Sequence, residues 1–338
     1  MSRERKESVA VVGAGSWGTA FAAMLAGRHE SVTLWAHETE VCADLRDRRE
    51  NRAFLPGIAL PPAIRPTNDF AEAVSGKTVV IFAVPSHHLR EVAARTAAHL
   101  SPDACLVSLA KGVEIGTLKR MTEVLVEASP SHAPRIAALS GPTFAREVAE
   151  GKPTGATVAA RDLSVARRLQ HALSGSRFRL YADDDVTGIE IGGALKNVMA
   201  IAAGMADGLG FGHNARALII SRGLAEISRL GVRLGANPQT FAGLAGMGDL
   251  VLTCTGDLSR NRTVGMRVGR GERIGDVLSG MTMVAEGVRT AVSAVELSRR
   301  TGVPMPISEQ VHGILHEGKD VREAVNELFS RALKREKE

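Results

Sequence analysis

Between residue 8 and about residue 184, short unbroken apolar runs alternate with stretches whose apolar positions recur every three or four residues. The runs are Ser8–Val12, Val32–Trp35, Thr78–Val84, Ala104–Leu109, Ile136–Ser140, Ala156–Ala160 and Phe178–Tyr181. They are rich in β-branched residues and lack the apolar–polar alternation of a half-exposed strand. They therefore predict strands buried on both faces, in a mostly parallel sheet covered by helices. The last two runs lie close together in sequence and predict an antiparallel edge. Asn51–Pro66 contains Leu55-Pro56-Gly57-Ile58 and then Pro61, Pro62 and Pro66, too much proline for a helix, and reads as a surface loop over the mouth of a site.

After Asp183-Asp184-Asp185 the strand-like runs vanish and the helical period dominates. Asn237-Pro238 reads as an N-cap with a first-turn proline. Val284, Val288, Ala291, Val292 and Val295 form one face of a helix that starts near Ala285 and is closed by Gly302 and Pro304. Ile307, Val311, Ile314 and Leu315 form another, ended by Gly318. Asp320 caps a last amphipathic helix bearing Val321, Val325, Leu328 and Phe329. No repeat of fixed period is present. The division falls at residue 185: a strand-and-helix domain over 1–185 and an all-helical, substrate-binding domain over 186–338.

Composition narrows the class. The chain has 338 residues, 44% hydrophobic and 23% charged, enough for two domains with sizeable cores. Aromatic residues are only 4%, so the interior is packed with Ala, Val, Leu, Ile and Met. The net charge of +5 is spread along the chain without a basic stripe, which suits an anionic small molecule and argues against nucleic acid. Cys42, Cys105 and Cys254 are widely spaced and form no paired motif, as expected of reduced thiols in a cytoplasmic protein. Residues 1–7 read as a solvated arm without the apolar core of a signal peptide, and 334–338 as a frayed end. No window approaches the roughly 18 continuous apolar residues of a membrane span. Without an HExxH or a carboxylate–histidine cluster, no metal is expected.

The chemistry starts at the first strand. Val9-Ala-Val-Val runs directly into Gly13-Ala-Gly15-Ser16-Trp17-Gly18 and an Ala/Leu/Met/Phe helix over about Ser16 to Arg28. Gly13 allows the turn out of the strand, Gly15 lets backbone approach a pyrophosphate, and Gly18 lets the helix pack on the sheet. The helix start then directs free N–H groups and a positive dipole end at phosphate. This is a Rossmann-type dinucleotide cradle in its required context. An NAD-specific fold places an acid at the tip of the second strand to hold the ribose diol. Here Trp35-Ala36-His37-Glu38 follows, so NADP(H) is preferred, with His37 facing a 2′-phosphate, and Glu38 leaves NAD(H) possible.

Further segments sit where such sheets place their ligands. Lys111, in Ala110-Lys111-Gly112, follows a strand and points into the cleft. Ser140-Gly141-Pro142-Thr143-Phe144-Ala145 leaves another strand and opens a helix; its N–H groups either hold a ligand oxygen or merely cap. Lys196-Asn197 interrupts an otherwise apolar helix, where a lysine either snorkels out or, desolvated, serves as an acid–base group. Gly246-Met247-Gly248-Asp249 is followed by Ser259-Arg260-Asn261, with Ser259 as N-cap. That is either a phosphate cradle or a capped surface helix with its arginines in water. His87-His88, after Val84-Pro85-Ser86 at a strand end, either touches the cofactor edge or, more simply, forms a helix-start surface pair.

Taken together, these motifs and Val284-Ala285-Glu286-Gly287 resemble the bacterial NAD(P)-dependent sn-glycerol-3-phosphate dehydrogenase family over essentially the whole chain, in the family's order. Two positions depart from the pattern: Thr143 stands where serine is usual, and His37 where arginine is frequent. The resemblance implies reversible reduction of dihydroxyacetone phosphate to sn-glycerol 3-phosphate, for phospholipid synthesis. It implies that Ser16, Trp17, His37, Lys111, Ala145, Arg260, Val284 and Glu286 line the dinucleotide. Lys111, Gly141, Thr143, Lys196, Asp249, Ser259, Arg260 and Asn261 would surround the substrate. Lys196 is then the proton donor, Lys111 helps polarise the carbonyl, and Asp249 orients Lys196 or binds a substrate hydroxyl. The alternatives are a two-domain hydroxy-acid or sugar-acid-phosphate dehydrogenase and a nicotinamide-sensing protein without turnover. Apolar helical faces are compatible with a homodimer.

Overall fold

The computed structural model describes residues 7–281, 283–333 and 335–336. The solvated arm expected at residues 1–7 and the frayed end at 334–338 therefore lie largely outside the described residues.

The strands are β1 (Val9–Val12), β2 (Val32–Trp35), β3 (Ile64–Thr67), β4 (Val79–Phe82), β5 (Cys105–Ser108), β6 (Ile136–Ser140), β7 (Thr154–Ala160) and β8 (Phe178–Asp183). Between them lie α1 (Ser16–Leu25), α2 (Thr39–Ala43), α3 (Phe70–Val74), α4 (Leu89–Ala97), α5 (Met121–Ala128), α6 (Ala145–Ala149) and α7 (Leu163–Leu173). The strands form one sheet in the order β3-β2-β1-β4-β5-β6-β7-β8. From β3 through β6 every pairing is parallel. Successive strand residues face opposite ways: Val79 and Ile81 enter the apolar cluster on one side, Val80 and Phe82 the cluster on the other. Both sides are covered, which is why the runs are continuously apolar.

Two expectations are corrected here. β7 runs antiparallel to β6, whereas β7 and β8 are parallel to each other. The segment between them holds α7, a crossover rather than a hairpin, and a crossover returns the chain in the same direction. The proline-rich segment ends in β3, with Pro66 inside it. β3 is an edge strand, where a missing N–H costs least. The expected loop over the site is otherwise present: Asn51 Nδ2 donates to Ala14 O and Thr19 Oγ1 at 2.7 and 2.8 Å, clasping the glycine turn.

From Val186 onward every described element is helical: α8 (Val186–Gly208), α9 (Gly212–Arg233), α10 (Asp249–Thr255), α11 (Arg260–Gly269), α12 (Ile274–Ser279), α13 (Glu286–Thr301), α14 (Pro306–His316) and α15 (Val321–Phe329). α8 is apolar all round because other helices surround it. By length and composition it could cross a membrane, closer to a span than the sequence reading allowed, yet 94% of that window is buried inside the fold. α8 and α11 cross almost backbone to backbone. A Cβ on Gly204 would lie 2.1 Å from Arg262 O, and one on Gly265 2.0 Å from Ile201 O. This crossing brings the start of α11 beside the middle of α8. Asn237 caps only a 3₁₀ turn, Pro238–Ala242, where a full helix was expected. Phe329 and Val284, placed on apolar stripes by their spacing, are 74% and 41% exposed.

Candidate active site

The glycine turn has the geometry its sequence implies. Gly13 takes φ +115°, and a Cβ there would lie 2.9 Å from the Ala83 carbonyl. A Cβ on Gly18 would fall 1.9 Å from Gly13 O, so only glycine lets α1 sit this close to the turn. Gly15, in contrast, faces open space. α1 has no side-chain cap and no acid in its first turn, so its free N–H groups and dipole end are uncompensated. Both features fit the pyrophosphate of a dinucleotide. The helix is shorter than expected, ending at Leu25 rather than Arg28.

Around this cradle, Ser16 Oγ donates to Phe54 O at 2.6 Å and touches Met283 Sδ at 3.0 Å, so the segment before α13 arrives over the start of α1. That segment brings Val284 and Glu286. His37 is exposed just beyond β2, its ring 5.9 Å from that of Trp35. Ala145 opens α6, which packs on α1. The helix expected to open at Pro142 starts only at Ala145, because Gly141, at φ +151°, turns the chain away first. Trp17 stands with the core: its ring packs on Phe21 and Phe178 at 5.3 and 6.4 Å, and its buried Nε1 has no partner among the described residues.

The candidate catalytic groups gather where β5 and β6 end against α8 and α10. A π-helical turn, Leu244–Gly248, delivers Asp249 to the start of α10 at 1% exposure; such turns recur at functional sites. Asp249 Oδ1 accepts from Lys196 Nζ at 2.5 Å and Oδ2 from Lys111 Nζ at 2.6 Å. Lys111 Nζ also donates to Gly141 O at 2.9 Å and to Thr143 Oγ1 at 3.4 Å. Lys196 Nζ also donates to Thr253 Oγ1 at 2.6 Å, while that hydroxyl donates to the Asp249 carbonyl at 2.6 Å. An ammonium has three donors. Among the described residues Lys111 spends all of its donors on protein, and Lys196 keeps one.

Burial also acts on the Lys196 ammonium. Lys196 is 6% exposed, and burial pulls its pKa down to about 8, Lys111 adding to the fall and Asp249 opposing it. The cluster holds two ammonium groups against one carboxylate and so carries a net positive charge. Beneath it, burial pushes the Cys254 thiol up to about 12, which leaves it protonated and inert.

Ser259 caps α11 by accepting from Arg262 N at 3.2 Å. Asn261, expected to aim at ligand, is held by the protein on both sides. Its Oδ1 accepts from Gly287 N and its Nδ2 donates to Asn197 Oδ1, both at 2.9 Å, and Asn197 Nδ2 donates to Lys111 O at 3.3 Å. A backbone N–H at one end and a carbonyl at the other fix both amides, and one Asn261 N–H is left over. Arg260, beside it, is exposed and makes no hydrogen bond or ion pair among the described residues.

Sequence reasoning missed Thr253, Asn197 as a link, and Ser86. The first had a signal, since positions i and i+4 of a helix face each other and Thr253 stands four after Asp249. Two concavities of about 330 and 180 Å3 open instead at the start of α8, around Asp185 and Asn237, with none of these groups in their walls. The site is defined by convergent side chains rather than by cavity volume.

The models for the N- and C-terminal parts of NAD-dependent glycerol-3-phosphate dehydrogenase match residues 8–166 and 185–326. A Geobacter sp. (strain M21) protein named glycerol-3-phosphate dehydrogenase (NAD(P)+) is 54% identical over 98% of this chain and 99% of its own. A Myxococcus xanthus protein of the same name is 53% identical over 96% and 98%. The crystal structure of glycerol-3-phosphate dehydrogenase from Coxiella burnetii is 36% identical, with a TM-score of 0.90 over 96% of this chain and 99% of that one. A ketopantoate reductase from Ralstonia eutropha, 18% identical with a TM-score of 0.62 over 95% and 99%, shares the fold alone.

Proposed function

This chain belongs to the NAD-dependent glycerol-3-phosphate dehydrogenase family, and on that premise we propose that Lys196, held by Asp249 and Thr253, is the proton donor of its reaction. The enzyme is an oxidoreductase that reduces dihydroxyacetone phosphate to glycerol 3-phosphate with NAD(P)H and so serves phospholipid metabolism. When bound, the nicotinamide supplies hydride to the C2 carbonyl.

The chain's own residues then have distinct tasks. The oxygen at C2 gains negative charge in the transition state and needs both a proton and positive charge already in place. Lys196 offers its one uncommitted N–H there, and its pKa of about 8 lies near neutral pH, where a proton can move either way. That single remaining donor carries the reading. Lys111, with every donor committed, fixes the Gly141–Thr143 turn and adds charge to polarise the carbonyl. Asp249 orients both lysines. Ser259, Arg260 and Asn261 hold the phosphate at the start of α11. Gly13, Gly15, Ser16 and Gly18 cradle the dinucleotide, bordered by Trp17, His37, Ala145, Val284 and Glu286, with Arg260 near both ligands. NADP(H) is preferred because no acid stands where β2 ends.

The same proposal divides the chain at residue 185, places the enzyme in the cytoplasm, where its buried free thiols Cys42, Cys105 and Cys254 stay reduced, and pairs two copies through helical faces such as that of α9 bearing exposed Leu218 and Val232. Its test is the absorbance of NADPH with dihydroxyacetone phosphate. Lys196→Ala lowers kcat by about two to four orders of magnitude, the usual worth of a positioned acid–base group. NADPH binding, read by fluorescence, stays nearly unchanged. Turnover within a few-fold of wild type contradicts the assignment.

A further inference from the structure

Arg260 is unpaired although a carboxylate stands close by. The hydrogen bond from Gly287 N to Asn261 Oδ1 joins the first turns of α11 and α13. Arg260 and Glu286 flank that contact, each one residue away. An arginine and a glutamate so placed on a protein surface ordinarily pair, bidentate, carboxylate to guanidinium. Glu286 is turned elsewhere. Its Oε1 accepts from Ser86 N at 3.0 Å and its Oε2 from Ser86 Oγ at 2.6 Å, so both oxygens face the exit of β4. Residue 112 makes room for this by being glycine: a Cβ there would lie 2.5 Å from Ser86 Oγ and 3.4 Å from Glu286 Oε2. The field of Glu286 still reaches Arg260, where it favours the charged guanidinium.

We propose that Ser86 is a positioning residue for substrate recognition: by holding the Glu286 carboxylate it keeps Glu286 off Arg260 and leaves that guanidinium for the substrate phosphate. The proposal rests on the assignment of phosphate to Arg260. A carboxylate on Arg260 is a built-in competitor of a phosphate dianion, because both use the same fork of N–H donors. Without the Ser86 hydroxyl, Glu286 is held by one backbone N–H and is free to turn to Arg260, whose guanidinium already feels its charge. Substrate must then displace it. Affinity for the phosphorylated ketone falls, while the proton donor and the chemical step are untouched.

The test is a double-mutant cycle at saturating NADPH. Ser86→Ala raises KM for dihydroxyacetone phosphate by about tenfold, the scale of one charge-assisted hydrogen bond, with kcat within about twofold of wild type. In the Glu286→Gln background the same substitution changes KM by less than about twofold, because a neutral amide does not compete for Arg260. A purely structural serine gives the same factor in both backgrounds, and so does one without effect; either result overturns the proposal. Arg260→Ala separates this from the reading beneath it. If Arg260→Ala penalises dihydroxyacetone phosphate at least about tenfold more than unphosphorylated dihydroxyacetone, the phosphate assignment stands and a silent Ser86→Ala refutes Ser86 alone. If it affects both ketones equally, the assignment itself fails.

Discussion

At the scale of single residues, the site works by the way donors are spent. Lys111 and Lys196 share one buried carboxylate and differ by a single uncommitted N–H. Lys196 was legible in the sequence because a lysine within an apolar helix breaks the pattern around it. Thr253 carried only the weaker signal of standing four residues after Asp249 on one helix, and Ser86 carried none, since a hydroxyl at a strand exit looks the same whether or not it holds a charged partner. The choice of cofactor is also made at one residue. Beyond β2 stands His37 rather than an acid, with Glu38 one residue further on, so the expected outcome is a preference for NADPH over NADH in kcat/KM. His37→Asp supplies repulsion of a 2′-phosphate and shifts the ratio of kcat/KM toward NADH. A wild type clearly better with NADH contradicts this account of the strand tip.

Among elements, the helical half is fastened by buried polar groups as well as by its core. Glu226 on α9, 2% exposed, accepts from Ile307 N at 2.7 Å and from Ser308 N at 3.4 Å, capping α14 from a different helix. Burial pushes its pKa up from 4.5 to about 7. The protonated form is therefore favoured in the fold, and folding takes up a proton between those values. The stability that this group contributes is present at low pH and is lost as pH rises toward 7. Glu226→Gln keeps an acceptor for Ile307 N without the buried charge. Thermal melts of the two proteins diverge as pH rises from about 4.5 to 8, with the glutamine variant higher by a few degrees at pH 8. A difference that does not change with pH rules this out.

The elements themselves were readable wherever burial wrote a continuous apolar run. They were not where topology or an edge intervened. β3 is four residues long with a proline inside, a pattern that identifies no strand until a neighbouring strand pairs with it. The direction of β7 follows from its partner, β6, and not from its nearness in sequence to β8. Val284 fits an apolar stripe by spacing alone, yet it precedes the helix and faces outward.

On the scale of the whole molecule, the proposed site lies where the sheet meets the helices. The sheet supplies the glycine turn, Lys111, Gly141 and Thr143, and the helices supply Lys196, Asp249, Arg260 and Glu286. The close crossing of α8 and α11 and the amides of Asn197 and Asn261 hold these sets in register. Assembled this way, a buried lysine becomes acidic enough to give up its proton near neutral pH. The most direct measurement of that claim is the pH dependence of kcat/KM for dihydroxyacetone phosphate reduction. Reduction needs Lys196 protonated, so the rate holds up to about pH 8 and then falls about tenfold per pH unit, following a group with a pKa of about 8. A profile with no break between about pH 7 and 9, or one whose break persists in Lys196→Ala, contradicts it.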